Sequence, residues 1–167
     1  MITQEQLKEL FDYRDGCLFW KVRKSYNTII GSRAGCYSKI HHRRFLRIDD
    51  RLCKEHIIIW VWHYGAIPEG MEIDHRDTDS NNNRIENLRL ATHSQNGKNL
   101  KVERKNNTTG YKGVGRHHKN KKWIAAIRVD YNKIHIGCYK TKEEAAMAYN
   151  AEAIRRFGEF ANLNIIK

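Results

Sequence analysis

At 167 residues and 40% hydrophobic content, with four Trp, the chain is large enough for one ordinary domain or two small ones and too apolar for wholesale disorder. It holds no run of about 18 apolar residues of the kind that spans a bilayer, and its start, Met1-Ile2-Thr3-Gln4-Glu5, lacks the layout of a secretory signal, so an intracellular, cytoplasmic setting is expected. A net charge of +12, from 31 Lys and Arg against 19 Asp and Glu, suits a polyanionic partner, though solubility alone would also explain it; no basic amphipathic helix points to a membrane.

In chain order, residues 4–12 read as a short amphipathic helix with Leu7, Leu10 and Phe11 on one face. Tyr13-Arg14-Asp15-Gly16 is a turn signal, followed by a strand at 17–21. Another strand, studded with cations, is expected at 43–48. His41, His42, Arg43 and Arg44 either touch phosphates or form an ordinary solvated face. Residues 1–54 thus make a basic, β-rich N-terminal region without a chemical motif of its own. The apolar segment 56–64 reads as a helix packing beneath the central strands. A strand at 71–75, a polar loop at 76–86, a second strand at 88–92 and a short helix at 93–100 complete the centre, residues 55–100. Residues 101–109, rich in Lys, Asn and Thr, read as a linker.

From residue 110 to 167 the pattern changes to three short strands and a helix at 142–157. That helix is capped by Thr141-Lys142-Glu143-Glu144 and ended by Gly158. Period-two alternation sets Trp123, Ala125, Ile127 and Val129 on one face, and Ile124, Ala126 and Arg128 on the other. Ile134 and Ile136 face inward, with Lys133 and His135 outward. Ala145, Ala148, Tyr149, Ala153 and Phe157 form the stripe that meets the sheet. Cys17, Cys36, Cys53 and Cys138 form no CxxC pair and read as free or buried thiols. Charge divides with the segments: +6 over 1–54, −3 over 55–100 and +9 over 101–167. Basic flanks around an acidic centre suit a polyanion held at the ends and a cation in the middle.

The chemistry lies in Glu72-Ile73-Asp74-His75, Asn81-Asn82-Asn83-Arg84, Asn87-Leu88-Arg89 and Asn96. A hydrolytic phosphodiesterase needs a cation on the scissile phosphate and a base for the attacking water. Asp74 offers a hard anionic oxygen, His75 an imidazole able to accept a proton near neutrality, and Asn96 an amide oxygen. Neighbours on a strand point to opposite faces, so twist or the strand end must bring Asp74 and His75 into one cleft. An isolated Asp-His pair or an Asn-rich loop means little; the ordered set is what carries the reading. His56 and His63, close to the set, read as packing residues.

Residues 55–100 resemble the HNH nucleases of the phage and intron-homing branch, through Ile-Pro-Glu-Gly-Met-Glu-Ile-Asp-His, Asn-Asn-Arg-Ile-Glu-Asn-Leu-Arg and Thr-His-Ser-Gln-Asn. The resemblance implies a ββα fold around one metal, with Asp74 and Asn96 as ligands, His75 as general base and Asn87 bracing the loop. The sequence departs from the family in having Arg76-Asp77-Thr78-Asp79 where Asp-Gly-type turns are common. Residues 110–164 resemble the apetala/ethylene-response-factor DNA-binding domain, through Thr-Lys-Glu-Glu-Ala-Ala-Met-Ala-Tyr-Asn and Phe-Gly-Glu-Phe-Ala-Asn-Leu-Asn. That likeness places Arg128, Lys133 and His135 toward DNA, with Arg116 and His117 as further candidates.

The expectation is an α+β protein: a central ββα-metal HNH nuclease fold with a β-rich N-terminal wrapper, and a C-terminal three-stranded antiparallel sheet packed on one helix. Its activity would be metal-dependent cleavage of double-stranded DNA by a monomer that nicks one strand, in the manner of a homing endonuclease. Mg²⁺ or Mn²⁺, one ion, fits oxygen ligands better than Zn²⁺ does. A non-catalytic DNA-binding regulator is the alternative, and an RNA-binding factor a third reading that lacks an exposed aromatic pair for base stacking.

Overall fold

The computed structural model describes residues 2–99, 107–117, 121–130 and 132–166, and the chain divides into two units, Met1–His93 and Ser94–Lys167. Most of the expected linker, 101–106, lies outside the described residues.

The first unit opens with helix α1 (Gln4–Leu10), capped by Thr3, whose side chain accepts the Gln6 backbone N–H while Gln6 accepts that of Thr3. The helix stops short of the expected residue 12. Phe11 instead begins β1 (Phe11–Arg14), paired antiparallel with β2 (Cys17–Trp20) across the Asp15-Gly16 turn. Both turn residues have positive φ, 46° and 80°, which matches the twist of a tight hairpin. A second sheet runs β3 (Cys36–Ser38), β4 (Arg43–Ile48) and β5 (Arg51–Lys54) in that order. The strand at 43–48 is legible in the sequence; its partners are short and mostly exposed, with no apolar alternation to announce them.

Helix α2 (Glu55–Tyr64) lies against both sheets and α1. Ile58 and Ile59 are buried with Leu7, Phe11, Leu18 and Leu46 in one core. Residues 1–54 and the centre therefore share a core. Gln4 ties the two helices further, donating from Nε2 to the Trp62 and His63 carbonyls at 3.0 and 2.7 Å. After α2 comes an antiparallel ribbon, β6 (Met71–His75) and β7 (Leu88–Thr92), in register Asp74↔Arg89 and His75↔Leu88. Helix α3 (His93–Lys98) comes directly after it.

In the second unit, β8 (Val114–Arg116), β9 (Trp123–Val129) and β10 (Asn132–Tyr139) form an antiparallel sheet of order β10-β9-β8. Helix α4 (Lys142–Phe157) packs on it, with the expected capping box at Thr141 and Gly158 at its end. The buried stripe is Ala145, Ala146, Tyr149 and Ala153. Ala146 is buried where Ala148 was expected, because a helix seated on a sheet buries a band wider than one line of residues. Ala125 and Ile127 of β9 are buried, as alternation requires, and Ala126 also closes off, at 9% exposure.

Candidate active site

Asp74 and His75 end strand β6, both buried, and each has its own partner. On one side of the ribbon Asp74 meets its register neighbour Arg89, whose Nε donates to Oδ2 at 2.9 Å and whose Nη2 lies 2.8 Å from the same oxygen. His75 turns to the loop: its Nε2 lies 2.9 Å from Asn83 Oδ1. The two neighbours are thus held by different partners.

Behind Asn83 stands Glu55, the first residue of α2. Asn83 donates from Nδ2 to Glu55 Oε2 at 3.0 Å, and Arg33 Nη2 approaches that oxygen at 3.4 Å. Burial pushes the Glu55 carboxyl up from its ordinary value, opposed by the charges of Arg33 and Arg44 and by donors from Asn83 and the Leu18 backbone. His56 sets its ring edge-on to His75, with centroids 4.9 Å apart. Burial above all, then the charges of His75, Arg43 and Lys54, lowers His56 to about 3, so it packs as a neutral ring.

The loop from 76 to 87 is held by Asp77 and Asn87. Asn87 donates from Nδ2 to Asp77 Oδ1 (2.9 Å) and the Asn82 carbonyl (2.7 Å), and its Oδ1 accepts the Asp77 backbone N–H at 3.1 Å. Asp77 also accepts from the Asp79 backbone N–H and from Asn82 Nδ2. Burial pushes the Asp77 carboxyl up, but these donors and the His75 charge outweigh it and hold it below its ordinary value. The network bridges the segment where the sequence lacks a turn glycine: Thr78 takes φ +64° there, a conformation costly for a β-branched residue. From the other side, the first hairpin supports the loop. Tyr13 Oη accepts the Ile85 N–H at 3.0 Å, and a Cβ at Gly16 would sit 2.7 Å from the Arg84 nitrogen. Ser80 donates to the His42 carbonyl. Arg43 and Arg44 are themselves engaged, with the His41 carbonyl and with the Ala34 and Gly35 carbonyls.

Asn96 lies on α3 within the second unit, half-buried. The structure brings Asp74, His75 and Asn87 into one ribbon and loop. Sequence reasoning passed over Glu55 and Arg33, and named Asn83 and Arg89 within the motif without giving either a role; the strand register is what pairs Arg89 with Asp74. Among the described residues no three His, Cys, Asp or Glu side chains form a metal-binding group. One carboxylate is what a Mg²⁺-like ion takes from a protein when water and substrate phosphate complete its shell, so the Asp74 donor fits an ion of that kind.

In the second unit, Arg128 pairs in register with Lys133, and Ala126 with His135. The three polar side chains therefore share one exposed face. A bulge between His135 and Gly137 comes just beyond them. Arg116 pairs with Trp123 and lies 5.8 Å from its ring centroid, which puts it on the face opposite Arg128. His117 is half-buried, its backbone N–H donating to the Lys122 carbonyl at 2.9 Å. The four cysteines are free. No helix among the described residues is long and apolar enough to cross a membrane.

Asp74 and His75 are thus consecutive buried residues, each with a fixed partner, and they fall within residues 53–98, which match the HNH endonuclease family. Relatives of the chain include Protein 3.8 of Escherichia phage T7, 35% identical over 46% of this chain and 63% of that protein. The uncharacterized HNH endonuclease L560 of Acanthamoeba polyphaga mimivirus is 36% identical over 61% of this chain and 51% of its own length. The ethylene-responsive transcription factor WRI1 of Arabidopsis thaliana is 50% identical over 32% of this chain and 13% of its own. The chain thus spans less than two thirds of each of these relatives. The viral relative is itself named an HNH endonuclease, in keeping with the family match, and the plant relative is named a transcription factor.

Proposed function

We propose that this chain is a metal-dependent endonuclease that hydrolyses one phosphodiester bond in duplex DNA, site-specifically, as homing endonucleases do. The observation that carries the reading is the pair Asp74 and His75, buried side by side and separately fixed, within the stretch that matches the HNH family. His75 accepts a proton from the attacking water. Asp74 would hold one Mg²⁺ or Mn²⁺, with Asn96 as the second ligand that the family resemblance implies, and Arg89 fixes the carboxylate. The chemistry such an ion would supply is positive charge for the scissile phosphate and the leaving oxygen. Asn87 braces the loop that carries Asn83. Arg128, Lys133 and His135 lie on duplex DNA, as a basic sheet face suits a major groove, while Arg116 and His117 contribute at most at its edge.

Only one Asp-His set stands in the sequence, and one site makes one in-line displacement at a time. A monomer therefore nicks. Incubation of supercoiled plasmid with protein and Mg²⁺, with and without chelator, tests the reading: open-circular product should accumulate ahead of linear, and the chelator should stop it. His75→Ala should lower the rate by roughly 10²–10⁴-fold while DNA affinity stays. One observation favours a second reading, a DNA-binding protein without cleavage: Asp74 Oδ2 is already held by Arg89. Plasmid left intact in Mg²⁺ and Mn²⁺, yet retarded on a gel, would establish that reading.

A further inference from the structure

Two buried side chains stand in line behind His75: Asn83 at 3% exposure, then Glu55 at 1%, backed from the solvent side by the Arg33 guanidinium. Glu55 and Arg33 have no part in the proposed cleavage, and burial makes a polar group costly unless its hydrogen bonds are made. A carboxylate can only accept. The Glu55 oxygen that faces Arg33 therefore requires the nitrogen of the Asn83 amide, which lies 3.0 Å away. With its nitrogen so committed, Asn83 presents its oxygen to the imidazole, at 2.9 Å from Nε2. An amide oxygen accepts only, so Nε2 must carry the hydrogen. In a neutral imidazole the lone pair then resides on Nδ1.

We infer that Glu55, acting through Asn83, is a positioning residue that fixes His75 in the Nε2–H tautomer, so that Nδ1 is the nitrogen able to take a proton. The inference rests on the nuclease reading only for its consequence on rate. Glu55 need touch neither water nor phosphate; it sets the direction of an amide, and the amide sets the tautomer. A rigid relay suits the purpose, because Glu55 opens helix α2 and Asn83 is buried in the loop above it. The neutral His56 ring against His75 adds packing without a competing charge.

The test uses the full chain labelled with ¹⁵N-histidine, held above the imidazole titration. Long-range ¹H–¹⁵N spectra distinguish the tautomers, and the His75 resonance is the one that His75→Gln deletes. Wild type should show Nε2–H. Glu55→Gln keeps the volume but lets position 55 accept as well as donate, so Asn83 is free to turn over and Nδ1–H should become populated. In the same variant kcat should fall roughly 10–100-fold, the usual cost of removing a partner of this kind, with KM unchanged. The double variant Glu55→Gln, Asn83→Asp exchanges donor and acceptor along the line. It should restore both the Nε2–H signal and the rate, which a merely structural role for Glu55 would not predict.

Wild-type His75 found as Nδ1–H overturns the inference outright, even if no variant folds. So does a folded Glu55→Gln protein with an unchanged tautomer. The tautomer is read without any cleavage, so an inactive wild type counts against the nuclease reading and not against the relay.

Discussion

Asp74 is 6% exposed and Arg89 4%, so water cannot compensate either charge if the other is removed. Arg89→Leu should therefore cost about 3–5 kcal/mol, the range for breaking a buried pair from one side, and denaturant unfolding would read it. A loss near the ~1 kcal/mol of an exposed pair would show that solvent reaches the carboxylate. His56 makes a second, pH-dependent contribution. Its ordinary value is 6.5, and burial together with nearby cations lowers it to about 3 in the folded chain. Between these values the unfolded chain binds a proton that the folded chain refuses, so stability should fall as pH drops from 6.5 toward 3. The slope for one proton is about 1.4 kcal/mol per pH unit. Glu55, whose carboxyl burial pushes up, acts in the opposite sense above 4.5, so the diagnostic is the difference between wild type and His56→Phe. Equal slopes for the two would exclude His56 as the source. Asp74 and His75 were legible because they are adjacent in the motif. The contacts that support them were not, although Asn83 itself lies in the motif: Asn83 is 8 residues from His75, and Glu55 is 28 from Asn83. No local pattern links residues joined only by the packing of a helix against a loop.

Elements show the same division between local and nonlocal signals. The Thr141 capping box, the Gly158 stop and the alternation in β9 are local chemistry, and the structure has them where the sequence put them. Strands β3 and β5 exist because β4 offers them an edge on either side, and their own residues carry little preference. Helix α1 ends early for a like reason: Phe11 serves the core better as the first residue of a hairpin than as the last turn of a helix. Gly113 shows how closely α4 approaches the sheet in the second unit. It has φ +72°, and a Cβ there would lie 2.1 Å from the Tyr149 ring and 2.6 Å from the Ala126 carbonyl. The Tyr149 ring is buried and is part of the small core around Ile127 and Ala153, so it has nowhere to retreat. Gly113→Ala should lower the melting temperature, at a cost of at least about 1–3 kcal/mol from overpacking. Gly115→Ala, with nothing within 4 Å of its Cβ position, is the control and should melt close to wild type.

At the scale of the molecule, the sequence divided the chain at 55 and at 101–109, whereas the contacts divide it after His93. The first boundary is invisible in the structure because Leu7, Leu18 and Leu46 share a core with Ile58, Ile73 and Leu88; a change in charge from +6 to −3 marks a change of surface, not of fold. The second unit has its own sheet, helix and core, with 16 basic and 6 acidic side chains. A fragment covering 94–167 should therefore fold alone, with a cooperative melt, and bind duplex DNA. Phosphate contacts release counterions, so the logarithm of its binding constant should fall linearly and steeply with the logarithm of salt concentration. Arg128 and Lys133 face each other across β9 and β10 and differ in what they offer a groove: a planar fork that can read a guanine edge, and a point charge that suits phosphate. Arg128→Ala should thus cost roughly 1–3 kcal/mol at a preferred site and narrow the gap between preferred and random DNA. Lys133→Ala should weaken binding evenly across sequences and reduce the salt slope by about 1. Fluorescence anisotropy with labelled duplexes, run as a salt series, reads all of these at once. A folded fragment whose DNA binding is absent or indifferent to salt would refute the assignment of this face to DNA, and would leave the first unit to supply the binding surface.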